Sequence, residues 1–358
     1  MDKLLPALRR RLQDSSLALP RDFLLEPLPT TGLAHDHIRI HGTGLLLRIP
    51  KQSQLGLSAV ANLHYQSACF RRAEASGHTP RLHRVLEPDE SLPMGALVVD
   101  EIPGEVLQLP GGLHALADAL AALHGLPVPA EDQRQPLKNP ANMVGGTVDE
   151  VLTQAAYLKA ADLHPDAQRE IRREIASARE MVSMPYHPPP VLISFDAHPG
   201  NFLTDTEGRA FLVDLEKARY GLPGLDLAHA TLYTSTTWDV ATYSVLDIEQ
   251  IAEFYRRWLA RVPAELAEAS KSWLLPLRRI MWLWSVTWCA KWRVQSREAG
   301  KADKHRQDST EDWSAELSDP TLVRHVADRV DDYLHPDTVT RVRDEWLNHN
   351  ALTKLLQG

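Results

Sequence analysis

The stretch that decides the fold is VLISFDAHPGNFL, residues 191–203, which Asp214-Leu-Glu216 follows shortly afterwards. Asp196 and Asp214 each come just after a short apolar run, where we expect a buried strand to end, and Asn201 stands five residues after Asp196. Carboxylate and amide oxygens are the ligands that hard cations prefer, and a carboxylate can also accept a proton from a hydroxyl group. The segment therefore predicts a polar, cation-binding centre.

The local pattern around this segment predicts a hairpin. Leu192-Ile193 and residues 211–213 have the composition of short buried strands, and residues 204–208, ending in Gly208, have the composition of a turn. Such a hairpin would direct Asp196 and Asp214 into one cleft. The alternative is that Asp196 and Asn201 only cap turns, which is a common role for both residue types.

The motif Asp-x-His-Pro-Gly-Asn, with Asp-x-Glu in place of Asp-Phe-Gly, resembles the aminoglycoside phosphotransferase and choline kinase superfamily of small-molecule kinases. The resemblance implies an α+β, protein-kinase-like fold of two lobes. Residues 1–101 would form a small N-lobe with an antiparallel sheet and a helix, and residues 102–358 a larger, mostly helical C-lobe. It also implies ATP and Mg²⁺ as cofactors, with Asp196 as the catalytic base and Asn201 and Asp214 as metal ligands.

Composition agrees with a globular enzyme. The 358 residues are 44% hydrophobic and 24% charged, and 39 basic against 47 acidic residues leave a formal charge of −8, which argues against nucleic acid or an anionic membrane as partner. Two cysteines, Cys69 and Cys289, are too few for a disulfide framework and favour the cytoplasm. We find no apolar run of about 20 residues that would cross a membrane. The sequence gives no indication of an obligate protein partner.

A glycine turn and a hairpin come early in the chain. Gly32 precedes the alternating strand of residues 37–40, and His41-Gly-Thr-Gly44 turns the chain back into the apolar strand of residues 45–49. This hairpin resembles the superfamily's loop over the ATP phosphates. The resemblance makes Gly32, Ala34 and His35 candidates for phosphate binding.

Arg48 stands in the strand where the kinase fold keeps a lysine, and the resemblance gives it the nucleotide phosphates as partner. A guanidinium group can bind two phosphate oxygens at once, which a lysine cannot do. The alternatives are that Arg48 is a solvent-facing strand cation, or that Lys51 takes its role.

Two positions depart from the family pattern. The helix predicted from about residue 58 to 75 carries Gln66 where a glutamate is expected to pair with Arg48, and Gln66 can accept a hydrogen bond but brings no charge. Ser194 stands where the superfamily commonly has histidine. These departures favour a second hypothesis, a nucleotide-binding pseudokinase with a regulatory or scaffold role. A third, a metal-dependent hydrolase using Asp196, His198 and Asp214, leaves the hairpin and hinge unexplained.

Residues 81–85 and 95–99 predict two further strands, and the second runs into Asp100-Glu-Ile102-Pro-Gly104. The resemblance makes this segment the hinge between the lobes, where backbone groups of Asp100 and Ile102 meet the adenine edge. Val99 and Leu203 would then flank the adenine ring.

The acceptor site is expected among the C-terminal helices. Trp282, Trp284, Trp288 and Trp292 fall in one predicted helix, and the last three recur every four residues, hence on one face. Aromatic walls with nearby carboxylates bind amines and quaternary ammonium groups, so the acceptor is expected to be an aminoglycoside, amino-alcohol or sugar-like molecule. The alternative is plain core packing. The other candidates for this pocket are Glu216, Trp238 and Asp239.

Three supporting expectations complete the pattern. Asp226, in an Asp-Leu-Ala sequence, is expected to be a helix N-cap that braces the catalytic loop. His124, at the end of an apolar helix stripe, is expected to be a buried packing or capping residue. Residues 296–318 are the most polar stretch and predict an exposed connection.

Overall fold

The computed structural model describes residues 4–29, 34–299 and 320–357, and these form a small sheet lobe and a larger helical lobe. In the sheet lobe the elements are α1 (Leu4–Gln13), β1 (Leu25–Pro27), β2 (His35–Ile40), β3 (Leu45–Pro50), α2 (Ala59–Ala73), β4 (Leu82–Leu86) and β5 (Ala96–Asp100). The strands form an antiparallel sheet in the order β1-β2-β3-β5-β4. The predicted α+β, two-lobe architecture is confirmed.

The two-residue period of strand β5 explains why helices cover both faces of this sheet. Leu97 and Val99 point to one face and join the core that α2 contributes to, whereas Ala96 and Val98 point to the other and join α1. Ser58 begins α2 because its side chain accepts a hydrogen bond from the backbone N–H of Ala61. The sheet is therefore buried on both faces and is a rigid base for Arg48.

The helical lobe follows the hinge. Its helices are α3 (Leu113–His124), α4 (Met143–Ala155), α5 (Pro165–Val182), α6 (Pro223–Thr231), α7 (Tyr233–Thr236), α8 (Ile248–Arg261), α9 (Ala264–Ala299), α10 (Pro320–Tyr333), α11 (Pro336–Leu347) and α12 (Ala351–Gln357). Helix α9 is the central support, because α4, α5 and α6 all pack against it. The connection predicted at residues 296–318 begins inside α9, and its part after residue 299 lies outside the described residues.

Five short strands carry the decisive stretch: β6 (Glu105–Val106), β7 (Val191–Ile193), β8 (Phe202–Thr204), β9 (Ala210–Leu212) and β10 (Arg219–Gly221). The predicted pairing was wrong in one respect. The hairpin is β8 with β9, whereas β7 pairs with β10. The loop at residues 194–201, which contains a turn at residues 199–201, separates β7 from the hairpin, and the fully buried β7 takes the equally buried β10 as its neighbour.

The tip of the β2–β3 hairpin, residues 41–44, lies beside the predicted hinge. Gly42 and Gly44 have positive φ there, and the Gly44 carbonyl oxygen accepts a hydrogen bond from the backbone N–H of Glu101. The role of this hairpin over the phosphates stays a prediction. His35 and Ala34 lie at the other end of β2, and Gly32 falls outside the described residues.

Within the described ranges, the structure has no helix that combines the length and the apolar character needed to cross a lipid bilayer.

Candidate active site

The catalytic loop joins β7 to β8 and is closed by its own side chains. Asn201 donates a hydrogen bond from Nδ2 to the backbone oxygen of Asp196, at 2.8 Å. The backbone N–H of Val213 donates to the backbone oxygen of Asn201, at 3.0 Å. The loop that carries Asp196 is thereby tied to the strand end that carries Asp214, and the three predicted residues come together.

Asp196 is ionised by its surroundings. Lys217 Nζ lies 3.1 Å from Asp196 Oδ2, and His229 Nδ1 lies 3.9 Å from Asp196 Oδ1. Burial raises the pKa of Asp196, but the charge of Lys217, with smaller contributions from His198 and His229, outweighs it and holds the pKa below its usual range. A carboxylate of low pKa aligns a hydroxyl group strongly and takes its proton only late in a reaction.

Asp226 braces the loop, although not in the way predicted. It is fully buried in the first turn of α6, whose N-cap is Leu222, so the N-cap assignment was wrong. Its carboxylate accepts hydrogen bonds from the backbone N–H groups of Ser194, at 2.7 Å, and Phe195, at 2.8 Å. His124 Nε2 lies 3.1 Å from the same carboxylate, so the buried His124 has a structural role, as expected.

Ser194 also contributes to the loop. Its Oγ accepts a hydrogen bond from the backbone N–H of Asp196, at 3.2 Å. The contacts of Asp226 and Ser194 together fix the backbone on both sides of Phe195. The histidine that the superfamily commonly has at this position is therefore replaced by other supports.

Asp214 pairs with Arg48 across the two lobes. Arg48 Nη2 lies 2.5 Å from Asp214 Oδ1, and Arg48 Nη1 donates to the backbone oxygen of Val213, at 3.4 Å. Burial raises the pKa of Asp214, but the charge of Arg48, with smaller contributions from His35 and the backbone N–H of Glu216, outweighs it and holds the pKa below its usual range. Arg48 is buried, which excludes the alternative of a solvent-facing strand cation.

Gln66 contacts His35 rather than accepting the anticipated hydrogen bond from Arg48. His35 Nδ1 lies 3.1 Å from Arg48 Nη2 and must accept, so Nε2 carries the hydrogen and donates to Gln66 Oε1, at 3.3 Å. Burial, and then the charge of Arg48, hold the pKa of His35 far below its usual value. A neutral His35 therefore links the β2 strand to Arg48.

Glu216 lies on the Arg48 side of the cleft and not with the tryptophans. Its Oε2 is 3.6 Å from His35 Nε2 and has no hydrogen-bond partner among the described residues. Burial and the negative charge of Asp214 raise the pKa of Glu216 to about 8. Side-chain atoms of His35, Asp214 and Glu216 lie within 4.8 Å of one another, so this corner offers two carboxyl groups to a cation, whose charge would favour the ionised form of Glu216.

The residues predicted to meet adenine lie along one edge. Val99 is buried in β5, and Leu203 in β8 pairs with Val106 of β6. The backbone N–H of Asp100 donates to Arg81, at 3.1 Å, and its carboxylate also binds Arg81. The backbone N–H of Asp100 is therefore occupied within the sheet lobe, and the contact of Asp100 and Ile102 with adenine stays a prediction.

Helix α9 carries five tryptophans, and the four that lie within residues 282–292 separate into different environments. Trp282 is fully buried and packs on Trp346, and Trp292 is also buried. Trp284 meets Phe195 edge to face, with ring centroids 5.5 Å apart. Trp288 faces Trp238 in the same geometry at 5.6 Å. The predicted single aromatic wall is therefore reduced to Trp238 and Trp288.

Asp239 follows Trp238 and lies against the catalytic loop. A Cβ atom placed on Gly200 would come within 2.8 Å of Asp239 Oδ2, so only glycine leaves room for this carboxylate. The aromatic pair and Asp239 thus lie beside the loop that carries Asp196.

Sequence reasoning missed Lys217 and His229, the two cationic or titratable partners of Asp196. Lys217 immediately follows the Asp-x-Glu motif, and its adjacency was the available signal. It also missed Phe195, which has a φ of 59°. This left-handed conformation costs a residue with a Cβ about 1–2 kcal/mol, and no apolar pattern could have indicated it.

A sheet lobe that presents an arginine to a hairpin carboxylate, opposite a loop with Asp196 and Asn201, defines a small-molecule kinase. The model of the phosphotransferase enzyme family matches residues 32–269, and the chain belongs to that family. No curated protein matches the sequence significantly.

Solved structures show the same fold at low identity. A choline/ethanolamine kinase family protein from Mesorhizobium loti is 20% identical, with a TM-score of 0.55, covering 91% of this chain and 99% of that one. Choline kinase from Cryptosporidium parvum is 14% identical, with a TM-score of 0.56, covering 100% and 99%. The ADP-bound aminoglycoside phosphotransferase APH(2'')-Ib is 14% identical, with a TM-score of 0.52, covering 94% and 99%.

Proposed function

We propose that this phosphotransferase moves the terminal phosphoryl group of ATP to a hydroxyl group of a small, amine-bearing molecule, with Mg²⁺ bound by Asn201 and Asp214. The observation that carries the proposal is the meeting of Asp196, Asn201 and Asp214 in one cleft, opposite Arg48. Residues 1–101 would then form the nucleotide-binding lobe and residues 102–358 the catalytic and acceptor lobe.

The donor set fits a magnesium ion. Asn201 uses Nδ2 for the loop, which leaves its carbonyl oxygen for a cation. Asp214 and Glu216 add carboxylate oxygens, and Glu216 Oε2 is buried without a partner. When bound, Mg²⁺ would neutralise negative charge on the phosphate oxygens.

The chain's own residues supply positioning and a proton acceptor. Asp196, ionised beside Lys217, accepts the hydrogen bond of the acceptor hydroxyl and then its proton, as a bond forms from the hydroxyl oxygen to the terminal phosphorus. The phosphorus–oxygen bond to ADP breaks in the same transfer. Arg48 would bind the phosphates together with the Ala34–His35 segment, for which its Asp214 contact has to loosen.

Val99 and Leu203 would flank the adenine ring, with Asp100 and Ile102 supplying backbone contacts. For the acceptor we favour an amine-bearing molecule such as an amino-alcohol or aminoglycoside, because Asp239 and the Trp238–Trp288 pair adjoin the catalytic loop. The formal charge of −8 suits a cationic acceptor as well. A cytoplasmic location would supply ATP and keep the free, buried Cys69 and Cys289 reduced.

Calorimetry with ADP and a non-hydrolysable ATP analogue, with and without Mg²⁺, tests the nucleotide half of the proposal. We expect Mg²⁺-dependent binding of the analogue. A phosphate-transfer screen over amino-alcohols, aminoglycosides and sugars, with ATP and GTP as donors, tests the acceptor half. Absence of nucleotide binding contradicts the proposal, and binding without any transfer favours a pseudokinase.

A further inference from the structure

The backbone conformation of Phe195 requires an explanation, because this residue directly precedes the catalytic base. Its φ of 59° lies in the left-handed region, which glycine adopts readily and a bulky side chain does not. Phe195 is also buried, so contacts with water do not stabilise this backbone conformation. Surrounding contacts must hold it in place.

Contacts to the backbone fix one side of the residue. Asp226 accepts the N–H groups of both Ser194 and Phe195, and these two bonds set the direction in which the chain enters Phe195. On the other side, Ser194 Oγ accepts the backbone N–H of Asp196, at 3.2 Å, and holds the peptide that carries Asp196. The ring of Phe195 is the third point at which this residue is held.

Two groups hold the ring, and one carboxylate holds both groups. The guanidinium carbon of Arg219 lies 3.6 Å from the ring centroid of Phe195, and Trp284 meets the ring edge to face. Glu150 pairs with Arg219 Nη1 through Oε1, at 2.7 Å, and accepts from Trp284 Nε1 through Oε2, at 3.1 Å. Arg219, Trp284 and Glu150 therefore form a clamp on Phe195.

The clamp and the ion pair of the base come from the same segment. Arg219 pairs with Ile193 in the β7–β10 ladder, two residues before Phe195, and Lys217 stands two residues before Arg219. The segment thus presents Lys217 to Asp196 and Arg219 to Phe195. A shift of the ring would turn the Asp196 carboxylate away from Lys217.

We propose that Phe195, Arg219 and Glu150 are positioning residues that hold Asp196 in its reactive orientation through a strained backbone. This inference rests on the proposed function of Asp196 as the base. It assigns no substrate contact to the clamp. It predicts that the clamp matters only while the residue before Asp196 is one that resists a left-handed conformation.

A double-mutant cycle tests this dependence with Arg219→Ala, Phe195→Gly and the combined variant. The assay uses ATP with the acceptor found in the transfer screen, or with water as the acceptor if none is found. In this assay Arg219→Ala should lower kcat by about 10- to 100-fold and leave the KM for ATP unchanged. In the Phe195→Gly background the same change should alter kcat by less than about twofold. Equal effects in both backgrounds would overturn the proposal.

Crystal structures of Arg219→Ala and of the milder Glu150→Gln give a readout that needs no activity. We expect Phe195 to leave positive φ in Arg219→Ala and Asp196 to lose its contact with Lys217. Arg209→Ala, which removes an exposed arginine over Phe211, is the control. If both clamp variants keep Phe195 and Asp196 in place, the inference is wrong. If the unaltered protein does not use ATP, it is the proposed function that is contradicted, and not the clamp.

Discussion

The base region and the cation region of the cleft are built in different ways. Asp196 takes its partners, Lys217, His229 and Ser194, from the helical lobe alone. Asp214 takes its closest partner, Arg48, from the sheet lobe. The base is therefore fixed within one rigid body, whereas the cation site depends on how closely the two lobes approach. This difference predicts that a substitution can damage one region and leave the other intact.

The largest effect is expected from Asp196→Asn. The variant should lower kcat by about 10²–10⁴-fold, because the amide cannot take the hydroxyl proton. Nucleotide affinity, measured by calorimetry with ADP and Mg²⁺, should be unchanged, because Arg48 and Asp214 keep their contacts. Asp132→Asn makes the same change at an exposed position and is the control. An undiminished rate would show that Asp196 is not the catalytic base.

Asp214→Asn should damage both nucleotide binding and stability. The change removes a metal ligand, so Mg²⁺ should no longer strengthen the binding of ADP. It also leaves the buried Arg48 charge without its carboxylate, which should lower the free energy of unfolding by about 2 kcal/mol in urea titrations. If Mg²⁺ still strengthens binding in the folded variant, the metal assignment is wrong and the comparison of the two regions loses its basis.

Arg48→Lys tests the contact between the lobes more gently. A lysine keeps the charge but cannot bind the Val213 carbonyl oxygen and the Asp214 carboxylate through the two arms of one forked group. We expect ADP to bind about tenfold more weakly, which corresponds to about 1.4 kcal/mol. Arg39→Lys on the neighbouring strand, which alters a partly buried pair with Glu101, should leave binding unchanged. Equal loss in both variants would mean that the fork is irrelevant.

The last prediction concerns the pH dependence of stability in the base region. Burial is the main cause that lowers the pKa of His229 to about 4, against 6.5 in the unfolded chain. The unfolded state binds more protons between these values, so His229 should contribute to stability above pH 6.5 and lose that contribution as pH falls to 4. The full contribution is about 3 kcal/mol.

Urea titrations of His229→Gln should therefore show a shallower loss of stability between pH 6.5 and 4 than the unaltered protein shows. His64→Gln changes an exposed histidine and should keep the original slope. An unchanged slope in His229→Gln would show that protonation of His229 does not depend on unfolding.

The comparison also shows what the sequence could predict. Motif spacing and strand periodicity were enough for the sheet, the helix stripe ending at His124, and the order of Asp196, Asn201 and Asp214, because these are local patterns. The pairing of β7 with β10 was missed, and Asp226 was expected at the N-cap of α6 rather than inside it, because both depend on contacts between distant segments. Gln66 was assigned the wrong partner for the same reason.

Asp226 has a consequence for folding. It joins the loop at residues 194–195 to His124, which lies 102 residues earlier, so α3, α6 and the loop must be assembled before the base is in place. We expect the amide hydrogens of Ser194 and Phe195 to exchange with solvent only in global unfolding, as slowly as those of α3. The active site of this protein would then form late in folding and in a single cooperative step.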